Sequence, residues 1–131
     1  MVAGTVQRTT AGGRGHIVPA VCNDSGGVTI CHLAGELEAL TAAELRETSA
    51  ALCGTARVVF DLSEVLFIDS AGLGALIGGI RRIRENGGEV VLCSARAPIN
   101  RLLKTVGLDR VVSITATPAE AASRFGSAAL A

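Results

Sequence analysis

Asp69 and Ser70 stand where an apolar run, Val58-Val59-Phe60, and the short loop expected after it give way to a helical pattern. A serine there places its hydroxyl beside the first backbone N–H groups of a helix. Those groups have no partner inside the helix and favour an anion. A phosphate ester on Ser70 would be tolerated locally and felt by any docked partner. The plainer role for the same serine is that of helix N-cap, and the two roles are compatible. Gly72 and Gly74 are expected to keep the neighbouring surface low, so that a kinase cleft can reach the hydroxyl. Asp69 either favours the helix dipole or belongs to a docking surface.

Other chemistries fit the residues poorly. A nucleophile elbow needs G-x-S-x-G, and the residue two before Ser70 is Ile68. The histidines, His16 and His32, lie near the start of the chain, which argues against a Ser-His-Asp triad. Neither H-E-x-x-H nor a Walker A sequence occurs. Gly72-x-Gly74-x-x-x-Gly78 is a spacing variant of a dinucleotide fingerprint. The following strand ends in Cys93-Ser94, without the acidic residue that would hold a ribose. Cys22, Cys31, Cys53 and Cys93 form no C-x-x-C pair and have no metal-ligand spacing with the histidines. They read as small buried hydrophobes. Spacing leaves a redox disulfide among them open.

The elements that must position Ser70 follow from periodicity and turn chemistry. Residues 1–15 read as a flexible arm, 16–125 as one domain and 126–131 as a tail. His16 to Cys22 and Gly27 to Ala34 are β-rich, with Asn23-Asp24-Ser25-Gly26 as the hairpin turn. Pro19 is expected to confine its strand to an edge. Thr41 and Glu44 form a capping-box pattern at the head of a helix that Gly54 ends. After Ser70, Leu73, Leu76, Ile77 and Ile80 recur at helical spacing. Glu89 to Cys93 is a strand, and Pro98 opens a helix with the stripe Ile99, Leu102, Leu103 and Val106. Arg110 to Ile114 is a last strand, and Thr117 and Glu120 repeat the capping-box pattern. The order is ββαβαβαβα: an α/β fold with a mixed, mostly parallel sheet of about five strands and about four helices.

Composition narrows the function classes. The chain has 131 residues, enough for one domain with a single core. Lys+Arg and Asp+Glu balance at 12 each, which argues against a nucleic-acid ligand. Three Phe and no Tyr or Trp leave no base-stacking platform and require a core of Val, Leu, Ile and Ala. A chain this neutral is compatible with a homodimer or with burial against a partner. No apolar stretch reaches the roughly 20 residues of a membrane helix, and the polar, Gly-rich start lacks an apolar signal region. The expected location is cytoplasmic.

Phe67-Ile68-Asp69-Ser70-Ala71-Gly72-Leu73-Gly74-Ala75-Leu76 resembles the signature of the STAS domain and, more narrowly, of the bacterial anti-sigma factor antagonists. Gly35-Glu36-Leu37 before the Thr41 helix, Val59-Phe60-Asp61-Leu62, Gly87-Gly88-Glu89-Val90, and Arg101-Leu102-Leu103 with Val106-Gly107-Leu108 match in the same order. The resemblance covers about residues 16–125. It implies that Ser70 is phosphorylated by an anti-sigma factor that is also an ATP-dependent serine kinase, and reset by a serine phosphatase. It further implies that the unphosphorylated form binds the anti-sigma factor and releases a sigma factor. On this reading the chain is no enzyme and needs no cofactor or metal. Its partner contacts are expected at Glu36, Glu38, Asp69, Ala71, Gly72, Leu73 and Gly74. Many relatives carry a second hydroxyl where this chain has Ala71, and Asp where it has Glu38. The competing reading is a STAS-type scaffold or small-nucleotide sensor without a phosphorylation cycle.

Overall fold

A computed structural model describes residues 5–8 and 20–125. His16, Pro19 and the expected tail 126–131 lie outside the described residues, as does most of the expected arm. The elements are β1 (Thr5–Arg8), β2 (Ala20–Ser25), β3 (Val28–Leu37), α1 (Ala42–Ala51), β4 (Arg57–Ile68), α2 (Ser70–Glu85), β5 (Glu89–Cys93), α3 (Ala97–Thr105), a 3-10 turn (Leu108–Arg110), β6 (Ser113–Thr115) and α4 (Pro118–Ser123). The six strands form one sheet in chain order. β1, β2 and β3 pair antiparallel, and β3 to β6 pair parallel. The architecture is the expected mixed α/β sheet. The extra strand is β1, inside the segment read as an arm. It covers β2, which is therefore not an edge.

Parallel strands laid down in chain order, joined by crossovers of one hand, put every crossover helix on one face. α1, α2 and α3 accordingly bury Leu45, Leu76, Ile80, Ile83, Ile99 and Leu103 against Cys31, Leu33, Val58, Phe60, Leu62, Val90 and Leu92. The alternate residues of the same strands, Val28, Val59, Val91 and Cys93, face the other way and meet Ala121 of α4 and Phe125 just beyond it. A period of two divides each strand between these cores.

Two local expectations shift. The hairpin turns at Gly26-Gly27, whose φ angles are +62° and +83°, and not over Asn23–Gly26. A two-residue hairpin turn of this hand needs positive φ at both central positions, which paired glycines supply without strain. The second shift concerns the loop expected before Asp69, which is strand. β4 runs for 12 residues, and its register against β3 slips between His32 and Ala34 and again between Gly35 and Glu36. Each slip accommodates an extra residue in β4. Val65 and Ile68 both point into the core despite their odd separation, and Leu66 and Phe67 are turned outward, 63% and 48% exposed. The broken alternation of Ser63-Glu64-Val65-Leu66-Phe67 is what reads as a loop.

The last strand is displaced as well. Gly107 takes φ +82° after α3, the 3-10 turn follows, and β6 begins at Ser113. Val106, expected in the buried stripe of α3, is 46% exposed because the helix ends there.

Candidate functional site

The head of α2 is built by three residues, each with a different task. Asp69 is the N-cap: its backbone is extended, and its Oδ1 accepts from the Gly72 N–H at 2.9 Å. The capping role expected of Ser70 therefore belongs to Asp69. Ser70 becomes the first helical residue, and its side chain is exposed. Among the described residues no hydrogen bond holds the Ser70 hydroxyl. Gly72 does not lower the outer surface, because it is buried. A Cβ there would run into the carbonyl of Leu37, so glycine permits the helix to start against the end of β3. Gly74 is exposed with open space around it, as the low surface requires.

The neighbouring wall is the segment from Glu36 to Thr41. Leu37 is fully buried, and its carbonyl accepts from the Asp69 N–H at 3.0 Å. Glu36 lies in register with Phe67, and Leu37 with Ile68. Thr41 is N-cap of α1 in position only, since its side chain makes no cap bond to that helix. The Oγ1 hydroxyl donates to the Glu36 carbonyl at 2.6 Å and accepts from the Glu38 N–H at 2.9 Å. The capping box expected with Glu44 is therefore not formed. A threonine turned back to close the 36–41 turn points its oxygen away from the helix N–H groups.

Of the expected contact residues, Glu36 is exposed and Glu38, Asp69, Ala71 and Leu73 are half-buried. The bond from Asp69 to Leu37 and the packing of Gly72 on Leu37 bring the two stretches, 36–38 and 69–74, side by side. Sequence reasoning missed the exposed apolar residues that lie next to these stretches in the chain. Leu40, Leu66 and Phe67 are the exposed large hydrophobics of these segments. The only available signal was the broken strand alternation before Asp69. The 36–38 and 69–74 stretches combine an exposed hydroxyl with acidic side chains, and exposed apolar residues lie next to them in the chain, a mixture suited to docking a protein surface.

A second polar pair also escaped the sequence. His32 Nδ1 lies 2.7 Å from Asp61 Oδ2, with the imidazole partly exposed and the carboxylate nearly buried. Asp61 Oδ1 accepts from the Ser63 N–H at 3.0 Å. Alternation along β3 and β4 turns this pair toward the α4 face, away from the helix that Ser70 opens. The serine and the histidine thus serve different faces of the sheet.

Comparison with known proteins follows the same outline. The family model of the STAS domain matches residues 20–121. The anti-sigma F factor antagonist of Paenibacillus polymyxa is 33% identical over 91 residues, covering 67% of this chain and 78% of the relative. The anti-sigma-B factor antagonist of Listeria monocytogenes is 32% identical over 84 residues, covering 63% and 74%. A solved anti-sigma factor antagonist from Mycobacterium paratuberculosis superposes with a TM-score of 0.72 at 26% identity, over 82% of this chain and 92% of that one.

Proposed function

Because this chain belongs to the STAS domain family, we propose that it is an anti-sigma factor antagonist whose switch is Ser70. The unphosphorylated protein binds an anti-sigma factor that doubles as a serine kinase, and a sigma factor is released. Phosphorylation of Ser70 ends the binding, and a serine phosphatase restores it. The chain acts in the cytoplasm, catalyses nothing and takes no cofactor. The names of its relatives support the general role.

The observation that carries the switch is the exposed, uncommitted Ser70 hydroxyl on the first residue of a 16-residue helix already capped by Asp69. Among the described residues no bond uses that oxygen, so it can be esterified without unmaking a structural bond between them. A phosphate adds about −1.5 to −2 charges at pH 7. The unpaired N–H groups at the helix start offset part of that cost inside the protein. A docked partner gains no such relief. It meets new charge next to Asp69, beside the stretch that carries Glu36 and Glu38. Losing ~3 kcal/mol of contact weakens binding by roughly a hundredfold, enough to exchange partners.

The test is a pull-down and a labelling reaction with the captured kinase and ATP, using wild type, Ser70→Ala and Ser70→Asp. Wild type is expected to bind and to take label on Ser70. Ser70→Ala is expected to bind without label, and Ser70→Asp to bind about a hundredfold more weakly with its thermal midpoint unchanged. Label on Ser70→Ala, or equal binding by all three proteins, overturns the switch. Nucleotide binding by the isolated protein without any partner would favour the sensor reading.

A further inference from the structure

Cys22 and Cys31 are partners in register on the antiparallel strands β2 and β3. The ladder geometry of this pair follows from the turn. In a two-residue hairpin the pair that closes the turn is hydrogen-bonded, here Ser25 with Val28, and the pairs then alternate. Cys22–Cys31 is three pairs further out, so it is a non-hydrogen-bonded pair. Such pairs bring Cα atoms to about 4.5 Å with side chains converging, inside the roughly 4.4–6.8 Å span that disulfides bridge. Both side chains face the larger core, 4% and 0% exposed. The thiols are within hydrogen-bonding reach of each other.

We propose that Cys22 and Cys31 form an oxidisable dithiol site, whose substrate is a disulfide-class oxidant and whose product is a cross-strand disulfide. One cysteine loses its proton and attacks a sulfur of the oxidant, giving a mixed disulfide and expelling one thiol. The other then loses its proton and attacks the protein-bound sulfur, expelling the second thiol. The two electrons pass from the cysteine pair to the oxidant's two sulfurs, and a dithiol reductant reverses the step.

In the closed hairpin the reaction is slow. The hydrogen bond to Cys22 and burial both push the Cys31 thiol up, away from the reactive thiolate. Oxidation therefore proceeds through local opening of the hairpin, and the disulfide locks it shut afterwards. The locked strand, β3, is the one whose far end carries Glu36 and Leu37 beside Ser70. Cys93 has no such partner by register: it lies on the opposite core, opposite Asp61 and Thr115. Cys53 is half-buried at the end of α1, with Sγ donating to the Ser49 carbonyl at 3.6 Å.

The test uses the full chain and oxidised glutathione, in buffer and in sub-denaturing urea, followed by alkylation in denaturant and trypsin digestion. No Lys or Arg falls between Arg14 and Arg46, so residues 15–46 form one peptide with Cys22 and Cys31 and no other cysteine. That peptide is expected to lose two hydrogens and refuse the alkylating label, faster in urea, and to regain both on reduction. A Cys53→Ala/Cys93→Ala double variant is expected to behave identically. The proposal is overturned if the peptide accepts label on both cysteines at every urea concentration. It is equally overturned if it accumulates stable glutathione adducts, or is found linked to Cys53, Cys93 or a second chain.

Discussion

Two hydroxyls flank the end of β3 and have opposite fates. Thr41 is completely buried, with its oxygen bonded to the backbone of Glu36 and Glu38. Ser70 is on the surface, and among the described residues nothing bonds its oxygen. Leaving a buried hydroxyl unpaired costs about 1–3 kcal/mol, so the bonds of Thr41 are part of what holds the fold. An exposed one is satisfied by water at no structural cost. The first can therefore only hold the site together, and the second alone is available for modification. Leu37 joins the regions: its side chain is in the core and its carbonyl accepts from Asp69.

The strongest way to break this contrast is to part the two regions. Gly72→Ala pushes a methyl into the Leu37 carbonyl, where backbone has to move. We expect a loss of about 3 kcal/mol in chemical denaturation, together with weakened partner binding although Ser70 is untouched. Normal stability in that variant would show that the head of α2 does not rest on β3.

A second measurement sets the hydroxyls against each other directly. Thr41→Val keeps the shape but leaves the Glu38 N–H and Glu36 carbonyl without their bonds, for an expected loss of about 2 kcal/mol. Ser70→Ala is expected to stay within about 0.5 kcal/mol of wild type. Equal losses in urea melts would erase the distinction.

The smallest effect concerns two capping boxes written alike. In α4 the Thr117 hydroxyl accepts from the Glu120 N–H at 3.1 Å, and the Glu120 carboxylate accepts from the Ala116 N–H at 3.1 Å. At α1 the same pattern of Thr41 and Glu44 makes no such pair. Glu120→Ala is expected to cost about 0.5 kcal/mol and Glu44→Ala roughly nothing by that mechanism. Thermal melts of the two variants check the order.

The Asp69-Ser70 step into a helical repeat marks the head of α2, although the cap is Asp69 and not Ser70. Both residues are good N-caps, and which one adopts extended backbone depends on the chain arriving from β4. The loop expected before Asp69 is strand, because two register slips against β3 destroy the alternation that identifies a strand. Those slips expose Leu66 and Phe67 just before Asp69 in the chain, and no count along one strand reveals a bulge set by its neighbour. The hairpin turn lies two residues beyond expectation, since Asn-Asp-Ser-Gly and Gly-Gly both carry turn chemistry and pairing selects between them.

The amino-acid order by itself determined the succession of strands and helices, the mixed α/β class and the position of an exposed serine at a helix start. Those properties arise from local periodicity and backbone preference, which act over a few residues. Only the tertiary structure decided that Thr41 turns inward, that Gly72 seats α2 on Leu37, and that Cys22 faces Cys31. The seating of α2 depends on packing between segments far apart in the chain, and the other two depend on how a turn directs the side chains that flank it, which periodicity does not reveal.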